Sequence, residues 1–105
     1  MRTTITARHC EVADPLRARA ITVVERLGNL ASRPMGMTVV FDADGTRQTV
    51  ELRLHVARGE ILVAKGEGAE HRSALDRAEE KLRRQVERAS SRPRRARSAQ
   101  SNNPL

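Results

Sequence analysis

The sequence predicts an α+β domain of order β-α-β-β-β-α, a four-stranded, mostly antiparallel sheet with two helices packed on one face. Three features predict it: the chain opens on a short alternating stretch, two longer stretches carry helical apolar spacing, and three further alternating stretches lie between them, separated only by tight turns. With 105 residues, the chain has material for one core and not for two.

The first strand is read over residues 2–8, where Thr3, Ile5 and Ala7 alternate with Thr4, Thr6 and Arg8. Asp14-Pro15 then forms a helix start, with Asp expected as N-cap and Pro at the first helical position. Leu16, Ala20, Val23, Val24, Leu27 and Leu30 follow at spacings of three and four and make one apolar stripe. Gly28-Asn29 weakens the end of that helix, and Pro34 forbids its continuation. Met37, Val39 and Phe41 define a second strand, and Asp42-Ala43-Asp44-Gly45 is expected to turn the chain. The cleanest alternation comes next: Val50, Leu52, Leu54 and Val56 point inward, while Thr49, Glu51, Arg53 and His55 point outward. One sheet face should therefore be solvated. Arg58-Gly59 is a second turn, Glu60–Lys65 a fourth strand, and Gly66 and Gly68 are expected to break it. From about Glu70 to Ala89 the period is again helical, through Ala74, Leu75, Ala78, Leu82, Val86 and Ala89. Residues 1–90 thus form the domain, and 91–105, with no apolar period, read as a disordered basic tail.

Charge narrows the function. Twenty Lys plus Arg against thirteen Asp plus Glu give +7, and the pI is near 11.3. Such a balance favours polyanions, nucleic acid first and anionic membrane second. Arg92, Arg94, Arg95 and Arg97 give the tail +4, so residues 1–90 hold only +3. A binding face in the domain must come from sorting of charge. Eighteen of the twenty bases are arginine, a bias that a GC-rich genome also produces. Phe41 is the only aromatic residue, which argues against binding single strands by stacking. The lone Cys10 allows no internal disulfide, and no apolar run near the start suits a signal peptide or a membrane span. The expected location is the cytoplasm.

Nothing in the sequence assembles an active site. His9 and Cys10 are adjacent, His55 lies on the solvated face and His71 at the start of the second helix; no pair has the spacing of a zinc site. No cofactor, metal or small-molecule substrate is expected, and the protein reads as a binding protein rather than an enzyme. The helices are more informative. At about 100° per residue, Arg77, Lys81, Arg84 and Arg88 fall together opposite the apolar stripe of the second helix, with Asp76, Glu80 and Glu87 on a neighbouring strip. On the first helix Arg19, Arg26 and Arg33 recur every seven residues along one flank, and Arg17 sits on the other. Two helices side by side are expected to present these columns to the same side of the molecule. Arginine forks there suit bidentate contact with phosphate; a solvated, internally neutralised surface fits the same spacing.

Three stretches in order resemble the ribosome hibernation-promoting factors, also called ribosome-associated translation inhibitors. They are Ile5 to Arg17, then Val50 to Val56 followed by Gly59 to Ala64, and Ala74-Leu75-Asp76 with Lys81 to Val86. The likeness spans about residues 3–89 on the same β-α-β-β-β-α plan. It implies a stationary-phase or stress factor that binds the small ribosomal subunit in the channel of messenger and transfer RNA. Contact with ribosomal RNA through basic helix residues would then block initiation. Carried onto matching positions, it implies RNA contacts by Arg26, Lys81, Arg84 and Arg88, together with Arg8, Arg17 and Arg77. The chain departs from the family at Ala7, where glycine is usual, and at Arg19 and His71-Arg72, where aromatics are usual. A lysine common in the first helix is replaced by Val23. The separate dimerising domain of the family's longer form has no counterpart in the sequence. Two alternatives stay open: a double-stranded-RNA-binding module, which shares α-β-β-β-α but lacks a leading strand, and a protein-interaction domain whose charge is incidental.

Overall fold

A computed structural model of the chain describes the backbone of residues 1–100 and the side chains of residues 1–89. Its elements are β1 (Arg2–Arg8), α1 (Asp14–Leu30), β2 (Pro34–Asp44), β3 (Arg47–Val56), β4 (Ile61–Gly68) and α2 (His71–Gln100), with a short 3-10 turn over Ala57–Gly59. The β-α-β-β-β-α order is the one the sequence predicts. The sheet runs β1-β2-β3-β4, so spatial order equals chain order. β1 lies parallel to β2, which requires the α1 crossover, and the other two pairings are antiparallel.

One sheet face carries the core. Met37, Val39 and Phe41 of β2 and Val50, Leu52 and Leu54 of β3 pack against Ala20, Val23, Val24 and Leu27 of α1 and Ala74, Leu75, Ala78, Leu82 and Val86 of α2. Leu52 and Leu54 are fully buried while Arg53 between them is exposed, the two-residue alternation that the sequence carries. Both helices cover the same face, and Arg53, His55 and Glu51 remain on the open one.

Four local expectations are corrected. Asp14 does not cap α1: Ala13 holds the extended N-cap position without a side-chain cap, and Asp14 is the first helical residue beside Pro15. Its carboxylate still lies at the favourable end of the helix dipole. Asp42, Ala43 and Asp44 are not turn residues but the last rungs of β2, paired with Thr49, Gln48 and Arg47. The loop is only Gly45-Thr46, with positive φ at its first position alone, as a type II′ hairpin requires. Gly66 and Gly68 do not break β4; they lie within it. A Cβ on Gly66 would press on the backbone oxygen of Ala74 and lie 2.6 Å from the nitrogen of Ala78, so glycine is what lets α2 lie close on β4. Finally, α2 does not stop at Ala89 but continues to Gln100. Apolar spacing registers a helix only where it carries a stripe, and beyond Ala89 no stripe remains to mark it. Of the disordered tail expected over 91–105, residues 101–105 lie outside the described residues, as do the side chains of 90–100.

Candidate nucleic-acid interface

The two flanks of α2 face different neighbours. On one flank Arg19 of α1 donates from Nε and Nη2 to Asp76 Oδ1 at 3.2 and 2.8 Å. Seven residues further along α1 and three along α2, Arg26 meets Glu79 side-on, through Nε to Oε2 at 2.9 Å and Nη2 to Oε1 at 3.0 Å. These paired forks join α1 to α2 across their seam. The groove beyond, lined by Arg26, Asp76, Glu79, Glu80 and Arg83, mixes both signs and offers a polyanion no continuous positive track.

The other flank of α2 overhangs the outer edge of β4. An Arg77 Nη1 donates to the carbonyl of Glu67, Lys81 Nζ to that of Lys65 at 2.9 Å, and Gln85 Nε2 to that of Val63 at 2.7 Å. The spacing explains the ladder. Helix positions 77, 81 and 85 stack on one face at four-residue intervals, and alternate residues of a strand turn their carbonyls the same way. Neutral carbonyls fix the Arg77 and Lys81 heads without cancelling their charge. Arg84, on the same basic stripe, pairs with Glu80 at 2.9 Å, an exposed contact of one helical turn that contributes about 0.3–0.5 kcal/mol. Arg88 is exposed, and no partner holds it among the described residues.

The structure thus brings together Arg77, Lys81, Arg84 and Arg88, as the spacing predicts. It does not merge the two helical columns. Arg19 and Arg26 lie across the acidic strip, engaged with Asp76 and Glu79, because the flank that α2 turns to α1 is its acidic one. Arg17, on the opposite flank of α1, is exposed and apart from both. Arg8 ends β1, opposite Asp42 in the register, on the open face of the sheet.

Sequence reasoning missed the cluster around Asp42. His9 Nδ1 lies 3.0 Å from Asp42 Oδ1, and the Ala43 N–H donates to the same oxygen at 2.8 Å. His71 Nε2 lies 2.8 Å from the Asp42 carbonyl, its ring edge-on to Phe41. His9 contact, then the Ala43 N–H, holds the Asp42 carboxyl below the usual carboxylate range. The cluster fastens the turn after β1 and the start of α2 to the end of β2. Sequence gave no signal for it, since its members lie 29 and 33 residues apart. Among the described residues no three His, Cys, Asp or Glu gather as a metal site, and no helix is long and apolar enough to cross a membrane.

Comparison with known proteins places this geometry in a family. No curated protein sequence matches the chain. Among solved structures, a ribosomal subunit interface protein from Coxiella burnetii superposes with a TM-score of 0.77 at 14% identity, covering 88% of this chain and 100% of that one. The N-terminal domain of Protein Y from Thermus thermophilus gives 0.73 at 24% identity, covering 84% of this chain and 98% of that one. Both likenesses carry the fold. The sequence itself matches the family model described as Sigma 54 modulation protein / S30EA ribosomal protein over residues 3–94. With most of its length matched and the fold shared, the chain belongs to the Sigma 54 modulation protein / S30EA ribosomal protein family.

Proposed function

We propose that this chain is a ribosome-associated translation inhibitor of the hibernation type, a non-catalytic cytoplasmic protein that docks on small-subunit ribosomal RNA in the decoding channel. The observation that carries the reading is the stripe of Arg77, Lys81, Arg84 and Arg88 on one flank of α2, in a chain of this family. Carbonyl contacts hold the first two cations in place with their charge uncancelled. A phosphodiester backbone along that flank would meet three or four positive heads at helical spacing. Arg88, exposed and held by no partner among the described residues, takes phosphate at least cost, and Arg84 does so by loosening its exposed pair with Glu80. Arg26 joins only by exchanging Glu79 for phosphate, and Arg8 and Arg17 approach from other sides of the domain, so they make outlying contacts. The double-stranded-RNA module is disfavoured by β1, whose seven residues pair with β2 inside the sheet.

Charge reversal tests the reading. Lys81, Arg84 and Arg88 replaced together by Glu should remove the protein from small subunits and whole ribosomes on a sucrose gradient. Exposed changes of this kind shift stability by about 0.5 kcal/mol or less each, so the unfolding midpoint should stay near the parent's. Neutralising four phosphates gives a log–log slope of affinity against salt of about −3 to −4. Retained ribosome binding by the triple variant, or a slope near zero, would overturn the proposal and favour a protein partner.

A further inference from the structure

The two edges of the sheet are treated differently. An edge strand presents unpaired N–H and C=O groups that invite another strand. β1 carries Arg2 and Arg8 at its two ends and no acid. Antiparallel pairing of two β1 strands over their full length centres on Ile5 and sets Arg2 opposite Arg8 of the second copy, twice. Like charges directly opposite repel, so this edge is self-avoiding by sequence.

β4 lacks that protection. Pairing two β4 strands antiparallel about Gly66 sets Lys65 opposite Glu67 of the second copy and Glu67 opposite its Lys65, an attractive arrangement. The only cover on this edge among the described residues is the α2 ladder, in which Arg77, Lys81 and Gln85 occupy the outward carbonyls of Glu67, Lys65 and Val63. Three consecutive outward carbonyls are taken by three side chains on one helix face. That regularity goes beyond what charge sorting on α2 requires, since Gln85 is uncharged yet sits in the same ladder.

We infer that Arg77, Lys81 and Gln85 lock the β4 edge against pairing with the β4 edge of a second copy of this chain, so that these three side chains keep the sheet from extending into a dimer. The inference stands apart from ribosome binding, because it concerns the protein free of nucleic acid.

The test replaces all three by Ala, which suits a helix and vacates the edge. Sedimentation equilibrium of nucleic-acid-free protein should show the parent as a monomer and the Arg77→Ala/Lys81→Ala/Gln85→Ala variant at twice the mass. A residue's N–H and C=O point the same way from a strand, so the Val63, Lys65 and Glu67 amides face outward. Of these, Lys65 and Glu67 lie within the register about Gly66; their amides should exchange fast in the parent and become at least tenfold slower in the variant. Adding Lys65→Pro removes one outward N–H, which an edge strand tolerates, and should return the variant to monomer. If the triple variant loses its circular dichroism signature, Arg77→Ala/Lys81→Ala carries the same expectation. A folded variant that stays monomeric, or a dimer indifferent to Lys65→Pro, overturns the inference.

Discussion

Gly66→Ala should be among the most damaging single-methyl additions to this fold. The new Cβ would press on the Ala74 carbonyl oxygen and lie 2.6 Å from the Ala78 nitrogen, where real Cβ contacts essentially never fall below 3.0 Å. Both obstacles are helix backbone, so no side chain can swing aside. α2 must retreat, and the retreat loosens Leu75, Ala78 and Leu82, all fully buried against the sheet. Overpacking a well-filled core costs about 1–3 kcal/mol, and a rigid backbone obstacle belongs at the upper end, about 3 kcal/mol. For a domain of this size, at about 4–8 °C per kcal/mol, the midpoint should fall by about 12–24 °C. Gly28→Ala is the internal control. Its Cβ meets only the flexible end of Met1, at 2.8 Å from Cε, inside α1. Moving that methyl is cheap, and Ala favours a helix over Gly by about 1 kcal/mol, so this variant should gain stability. Thermal and urea unfolding of both proteins would measure the contrast. A Gly66→Ala midpoint within about 4 °C of the parent's, roughly 0.5–1 kcal/mol, would refute the close-approach argument.

Two further outcomes follow from the burial of Leu52 and the contacts of Asp42. Leu52→Asp buries a carboxylate in the fully enclosed middle of β3, with no partner in reach, and should leave the chain unfolded by circular dichroism at neutral pH; a native-like spectrum would contradict the burial. Asp42 holds a lowered pKa, chiefly through His9, so the folded state binds fewer protons there than the unfolded chain. Its contribution is complete above the ordinary carboxylate range, near 3.9, and is lost as pH falls through the lowered folded value. Carboxyl NMR titration should place the Asp42 midpoint below the ordinary carboxylate value, and His9→Ala should raise it; an unmoved midpoint would dismiss the His9 contact.

Elements were legible in the sequence wherever one face of an element is buried and the other is wet. Leu52 and Leu54 alternate with Arg53 because the helices cover only one side of the sheet, and that asymmetry is written directly into the period. The stripe through Leu75, Leu82 and Val86 marks α2 for the same reason. Boundaries failed where a residue's usual role was overruled by its neighbours. Asp42 and Asp44 read as turn formers, yet β3 supplies rungs for both, and Asp42 gains His9 and His71 as partners besides. Gly66 read as a breaker because glycine weakens isolated strands; its reason for being there is Ala74, eight residues away, whose approach no local pattern reveals.

The proposed binding surface marks the point where charge spacing stops being informative. Helical geometry sorted Arg77, Lys81, Arg84 and Arg88 onto one stripe correctly, since that depends on α2 alone. Which neighbour each stripe faces depends on the side of α2 on which α1 packs. The acidic strip of Asp76 and Glu79 turns toward α1 and meets Arg19 and Arg26, so the helix pair is joined by its opposite charges. The basic stripe is thereby left on the β4 side, where neutral carbonyls receive it. Pairing the acids of α2 with α1 is what leaves the positive charge of the opposite flank available to the polyanion proposed above. Arg19 and Arg26 of α1 are thus engaged within the molecule, while Arg77 and Lys81 of α2 keep their charge uncancelled.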